Sequence, residues 1–193
     1  MSAQAISDIL ARSAAVKLAT AEQCSVPAFE ASKVIATSLQ SGGKLLLCGN
    51  GGSAGDAQHL AAEFVATLDH KRPRAGLAAI ALTTDTSFIT AYSNDFGFVG
   101  IFSRQVETLG RKGDVLIGIS TSGNSQNVVA AMKAARNIGI ATIALSGEAG
   151  GEICENADIV ISVPSRTTMH IQEAHIALGH VITLTVEKLV GHD

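Results

Sequence analysis

The chain of 193 residues has room for one full-sized domain with its own core but is short for two. Charged residues make up 16% of it, against roughly 25% in an ordinary soluble domain, and 47% are hydrophobic, so burial of some helix faces against other subunits is expected. With 14 basic and 17 acidic residues, a net charge of −3, no Trp, one Tyr and six Phe, the chain lacks both the cationic field and the stacking rings of a nucleic-acid binder.

Cys24, Cys48 and Cys154 are odd in number and widely spaced, which gives neither a disulfide framework nor a CxxC metal knuckle. The N-terminus has no basic segment followed by an apolar core, and no apolar run approaches the roughly 18 residues of a membrane span. A cytoplasmic protein with no membrane segment is expected.

Residues 2–41 carry apolar positions at helical spacing, with a break near Ser25-Val26-Pro27 that predicts two N-terminal helices. From Lys44 the texture changes to short apolar runs, Leu45–Cys48, Leu77–Leu82, Val115–Ile119, Ala141–Leu145 and Ile159–Val163, each closed by Gly, Ser, Thr or Asp. Helical stretches lie between them, among them Ala54–Leu68, Ser125–Asn137 and a short one near Gly151–Glu155. Strand alternating with helix predicts a parallel sheet covered on both faces. A last helix, Thr168–Val190, is apolar over so wide an arc that it needs partners on two sides. Nothing marks a second domain, so residues 1–193 are expected to form one unit, with 1–41 used in oligomerisation and 44–193 forming the sheet and its covering helices.

In an open parallel sheet, ligands bind beyond the carboxyl ends of the strands. Two loops at such ends are rich in glycine and hydroxyl groups: Gly49-Asn50-Gly51-Gly52-Ser53-Ala54 and Ser120-Thr121-Ser122-Gly123-Asn124-Ser125. Converging backbone N–H groups, a following helix dipole and Ser/Thr hydroxyls suit a phosphate. The first loop also reads Gly49-x-Gly51-x-x-Ala54, but a dinucleotide fingerprint needs an acidic residue about 20 positions on, at the end of the second strand, and Asp85, which follows that strand, lies about 30 residues beyond the loop. No GxxxxGK[ST] pattern is present either, so a phosphate here is expected to be a monoester handle, with the chemistry at the ligand's other end.

Candidates for that chemistry are His59 and Glu63, one helical turn apart, and Gln172 and His180 on the last helix, separated by about 80° around its axis. Two imidazoles, a carboxylate and an amide oxygen make a plausible shell for Zn²⁺ or a similar ion, and Glu63 with His180 would equally serve as base and acid without metal. His175 is expected to be a packing histidine, and His170 and His192 to be solvent-exposed.

The runs Gly49-Asn-Gly-Gly-Ser53, Asp56-Ala-Gln-His59, Glu63-Phe64, Ala81-Leu-Thr-Thr-Asp85, Asn94-Asp-Phe-Gly97, Phe102-Ser-Arg-Gln105, Gly113-Asp-Val-Leu116, Ser120-Thr-Ser-Gly-Asn-Ser125 and Ile171-Gln-Glu-x-His175 with His180 resemble, in order and over nearly the whole chain, the phosphoheptose isomerases of the sugar isomerase (SIS) domain group. The resemblance implies a flavodoxin-like α/β three-layer sandwich with a five-stranded parallel sheet, a cytoplasmic homotetramer and conversion of D-sedoheptulose 7-phosphate to D-glycero-D-manno-heptose 7-phosphate, the first step towards the ADP-heptose precursors of lipopolysaccharide or related glycoconjugates. Matched residue by residue, it implies phosphate contacts from Ser120, Thr121, Ser122 and Ser125 with Ser53 nearby, and substrate contacts from Asn50, Gly51, Gly52, Asn94, Asp95, Glu63 and Gln172. It implies one Zn²⁺ per subunit on His59, Glu63, Gln172 and His180, with Glu63 and His180 as the catalytic pair.

Two departures stand out. Thr67 occupies a place where the family has Arg, with Lys71, Arg72 or Arg74 as candidate substitutes in a slightly longer Asp69–Gly76 stretch, and Thr168, Met169 and His170 precede Gln172 in place of other polar residues. The alternatives are a non-catalytic SIS tetramer that binds the bacterial replication initiator, and an isomerase or sensor for another phosphosugar. Glu63 and His180 speak for the enzyme, because the scaffold proteins have lost both functions.

Overall fold

The computed structural model describes residues 1–191, and His192 lies outside the described residues. The chain folds as α1 (Ala3–Gln40), β1 (Leu45–Gly49), α2 (Gly52–Val65), β2 (Ala79–Ala81), α3 (Thr86–Phe96), a turn of 3₁₀ helix at Phe98–Gly100, α4 (Ile101–Leu109), β3 (Val115–Ile119), α5 (Gln126–Asn137), β4 (Ala141–Gly147), α6 (Glu152–Glu155), β5 (Ile159–Val163) and α7 (Thr168–Leu189). All strands are parallel, in the order β2-β1-β3-β4-β5. Each expected apolar run overlaps one of them, with β1 and β4 extending one and two residues further, to Gly49 and Gly147.

Successive strand residues point to opposite faces of the sheet, and that alternation builds two cores. Leu45 and Leu47 of β1, Val115, Ile117 and Ile119 of β3, and Ile143 and Leu145 of β4 pack with residues of α1, α2 and α7. Leu46, Cys48, Leu116 and Ala144 pack on the other side with α4 and α5. The result is a three-layer sandwich in which strands buried on both faces read as continuous apolar runs.

The N-terminal segment differs from expectation: it is one helix of 38 residues, with Pro27 inside it. A proline costs an interior helix one hydrogen bond and a steric clash, about 3 kcal/mol. Here Cys24, Ala28, Ala31 and Ile35 form a buried stripe that runs across the proline onto the sheet's first core, and Cys24 Sγ reaches the carbonyl of Ser162 in β5 at 3.3 Å. Packing on both sides of Pro27 outweighs the local penalty, which the sequence pattern alone registers as a break. Another departure lies between Asp85 and Gly110, where α3 and α4 stand without having been expected: α3 buries no residue, although Ile89 and Tyr92 lean on the second core, and α4 buries Ile101, Phe102, Gln105 and Val106.

The order of the sheet fixes where a ligand can sit. β1 lies between β2 and β3, so the chain leaves β1 towards one edge and starts β3 on its other side. The loops after β1 and β3 therefore diverge at the topological switch point, the crevice where such sheets bind ligands.

Candidate active site

Both glycine- and hydroxyl-rich loops open at this crevice. In the second, Ser120 Oγ lies 3.0 Å from Ser125 Oγ and 3.5 Å from Ser122 Oγ, and Gly123 N–H donates to the carbonyl of Ser120 at 3.0 Å. Gly123 takes φ +69° with its α-carbon face against Gly150 and Gly151, a place with no room for a side chain. Ser125 begins α5 without capping it through its hydroxyl, so the hydroxyls gather at a helix N-terminus whose dipole favours an anion. Ser53, buried in the first turn of α2, belongs to the neighbouring loop.

The loops are tied together by a pair of side-chain amides. Asn50 Nδ2 donates to Asn127 Oδ1 at 2.9 Å and Asn127 Nδ2 donates back to Asn50 Oδ1 at 2.8 Å, with Asn127 only 3% exposed. Sequence reasoning missed Asn127; its one signal is an amide in the first turn of a helix whose neighbours Val128 and Val129 are core.

The helices α2 and α7 run side by side, and their contacts step along both in the same direction. Gln172 Nε2 donates to Asp56 Oδ1 at 2.6 Å, His180 meets His59 and Glu63 further on, and Glu187 Oε1 accepts from Leu68 N–H at 3.3 Å at the far end. Gly179 permits the approach: a β-carbon there would lie 2.5 Å from Leu60 Cδ1.

At the midpoint of this seam, His59 Nε2 and His180 Nε2 lie 2.9 Å apart. Glu63 Oε1 is 3.0 Å from the first and 3.6 Å from the second. The three ligand atoms fall within 4.8 Å of one another. Side-chain exposures of 52% for His59 and 42% for His180, against 15% for Glu63, leave the imidazoles open to a ligand and the carboxylate recessed behind them. Glu63 Oε2 and Asp56 Oδ2 are buried with no hydrogen-bond partner. Burial raises the pKa of Asp56, against the opposing pull of the Gln172 amide and then of His59 and His180. Sequence reasoning gave Asp56 no role; the structure makes it the anchor of Gln172.

Two imidazole nitrogens and one carboxylate oxygen gathered at one point are the donor set of a zinc-type cation, and the orphaned Glu63 Oε2 is a further unsatisfied oxygen of the same carboxylate. Gln172 gives its NH₂ to Asp56, which leaves its carbonyl oxygen as an acceptor. The residues present fit the ion.

Other expected positions fall elsewhere. Asn94 and Asp95 are exposed near the end of α3 and bond to each other at 2.7 Å. Gly51 and Gly52 are exposed at the start of α2, and Thr121 is half-buried. His175 is fully buried, as expected of a packing residue. His170, expected in solvent, is 5% exposed, because the first turn of α7 lies under α1, where neighbouring Glu173 meets Ser13 and Lys17. Arg74 is no substitute for the family arginine as a substrate ligand: its side chain is 3% exposed and engaged by Glu187 and by backbone carbonyls.

The SIS domain family matches residues 10–147 of the chain. Phosphoheptose isomerase from Aquifex aeolicus is 51% identical over 96% of both chains. Among solved structures, phosphoheptose isomerase from Neisseria gonorrhoeae superposes with TM-score 0.89 at 44% identity, covering 96% of this chain and 98% of that one. That from Francisella tularensis superposes with TM-score 0.92 at 35% identity, covering 97% and 100%. The fold and the crevice thus define a SIS-domain protein. Within that group, the chain belongs to the phosphoheptose isomerase family.

Proposed function

We propose that the protein interconverts D-sedoheptulose 7-phosphate and D-glycero-D-manno-heptose 7-phosphate in the cytoplasm as a homotetramer, supplying the ADP-heptose precursors of lipopolysaccharide or a related surface glycoconjugate. The observation that carries this reading is the divided environment of Glu63. One carboxylate oxygen faces both imidazoles, while the other is buried and has no hydrogen-bond partner.

The phosphate is held by Ser120, Thr121, Ser122 and Ser125 at the N-terminus of α5, with Ser53 beside them, and acts as the handle that aligns the open-chain sugar. Asn50, Gly51, Gly52, Gln172, Asn94 and Asp95 contact the remainder of the substrate. At the reacting end Glu63 removes a proton from C1 of the ketose. The C1–H electron pair becomes the C1–C2 double bond of a cis-enediol as the C2 carbonyl oxygen takes up a proton. Glu63 then delivers its proton to C2 while O1 loses one, which leaves the aldehyde. His180 moves the proton between O2 and O1. His59, Glu63, Gln172 and His180 would hold a zinc ion, which supplies Lewis-acid polarisation of the substrate oxygens when bound.

A coupled product assay on purified protein, with chelator and with restored Zn²⁺, tests this reading alongside Glu63→Gln and His180→Gln. Wild type should turn over sedoheptulose 7-phosphate, chelation should lower the rate and Zn²⁺ should restore it. Each variant should lose about 10²–10⁴-fold in kcat while its Tm stays close to wild type. Full activity in either variant would refute the assignment, and absence of turnover under every metal condition, with tight binding to the replication initiator, would favour the scaffold.

A further inference from the structure

The last carbonyls of a helix have no partner within it and carry the negative end of its dipole. In α2 two of these belong to Glu63 and Phe64. Arg74, on the loop that follows, fills the place: Nη2 donates to the carbonyl of Glu63 at 2.9 Å and Nη1 to that of Phe64 at 2.8 Å. Its Nε donates to Glu187 Oε1 on α7 at 2.6 Å. Both members of the pair are buried, at 3% and 10% side-chain exposure.

Glu187 follows His180 by seven residues, two helical turns, so both lie on the α7 face turned towards α2. Beyond that face the pattern depends on guanidinium shape. One planar group reaches two carbonyls and a carboxylate at once, which a lysine ammonium on a flexible stem does not reproduce.

We propose that Arg74 is a positioning residue for the isomerisation, an inference that rests on the reading of Glu63 as base. By fastening the carboxyl end of α2, at the backbone of Glu63 itself, to the α7 face that carries His180, it fixes the distance between the two groups that move protons. The phosphate loop lies on the β3–α5 connection and is independent of this clamp. Loss of Arg74 should therefore lower kcat and leave substrate affinity in place.

The test compares wild type, Arg74→Lys and Arg74→Met by steady-state kinetics with sedoheptulose 7-phosphate, by thermal unfolding and by a crystal structure of each variant. A misplacement on the order of 1 Å costs about 10²-fold, so kcat should fall on that scale in both variants, with KM within about twofold of wild type. The Arg74→Lys structure should show Glu63 shifted away from His180 with the Ser120–Ser125 loop unmoved. Millimolar guanidinium, at concentrations far below denaturing ones, should restore part of the Arg74→Met rate. Wild-type kcat in Arg74→Lys, a loss confined to KM, or an unmoved Glu63 in its structure would overturn the proposal. Absence of turnover by wild type would instead defeat the substrate assignment, and the position of Glu63 in the variant structures would still decide the role of Arg74.

Discussion

His175 sits on the inner face of α7, fully buried, with Nε2–H donating to the carbonyl of Ser146 in β4 at 3.0 Å and Nδ1 without a partner. Burial opposes the charged form and lowers its pKa from 6.5 to about 4, although the bond to Ser146 pulls the other way. Between those two values the unfolded chain binds a proton that the folded chain rejects. Stability from this residue is therefore fully present above pH 6.5 and is lost as pH falls towards 4, by on the order of 3 kcal/mol. Urea unfolding between pH 7 and 4 should show a downward slope that flattens in His175→Gln, which can keep the bond to Ser146. Glu173, held low mainly by the Ser13 hydroxyl, adds acid sensitivity of the same sign in both proteins, so the comparison isolates the histidine. Equal slopes would sink the assignment. The packing role of His175 was legible because its neighbours on the helix are apolar. The burial of His170 was not, since it depends on α1 lying over the start of α7, a contact between residues more than 150 positions apart.

Between elements, the Asn50–Asn127 amide pair joins the β1–α2 loop to the first turn of α5, so the loop proposed to meet the sugar and the one proposed to meet its phosphate share one anchor. In Asn127→Ala the Asn50 amide loses both bonds, and leaving such a group unsatisfied costs about 1–3 kcal/mol. KM for the sugar phosphate should rise roughly tenfold while kcat changes less, because Glu63 and His180, the proposed proton-transfer groups, sit on α2 and α7. Kinetics identical to wild type would show that the loops hold their places without it. The loops themselves were readable, since glycine and hydroxyl residues directly after apolar runs have a local meaning. Asn127 was not, nor was the place of Arg74, which the sequence offered as a substrate ligand, because each meets a partner brought to it by the fold: one across the switch point, the other across the seam between two helices. Pro27 gave the opposite error, a strong local signal overridden by the buried stripe on either side of it.

For the whole molecule, the low charge and high apolar content leave visible marks on the surface. A groove of about 370 Å³ runs between α1 and α7, lined by residues such as Ala21, Phe29, Ala177 and Val181. Beside it Leu18 is 70% exposed, Val26 74% and Val181 57%, and Phe96, Phe98 and Val99 stand out of the α3 region near Asn94 and Asp95. Apolar faces of this extent on both long helices fit burial against copies of the same chain. Oligomerisation would then bear on catalysis, because α7 carries Gln172 and His180 on one side and the groove on the other. Light scattering on a size-exclusion column should give a species of four times the 19.8 kDa chain mass. Phe29→Glu with Val181→Glu places charge in the groove without touching the core of the sheet, and should yield a smaller, folded species with greatly reduced turnover. If that smaller species kept wild-type kcat and KM, the site would be complete within one chain, and the apolar faces would need another explanation.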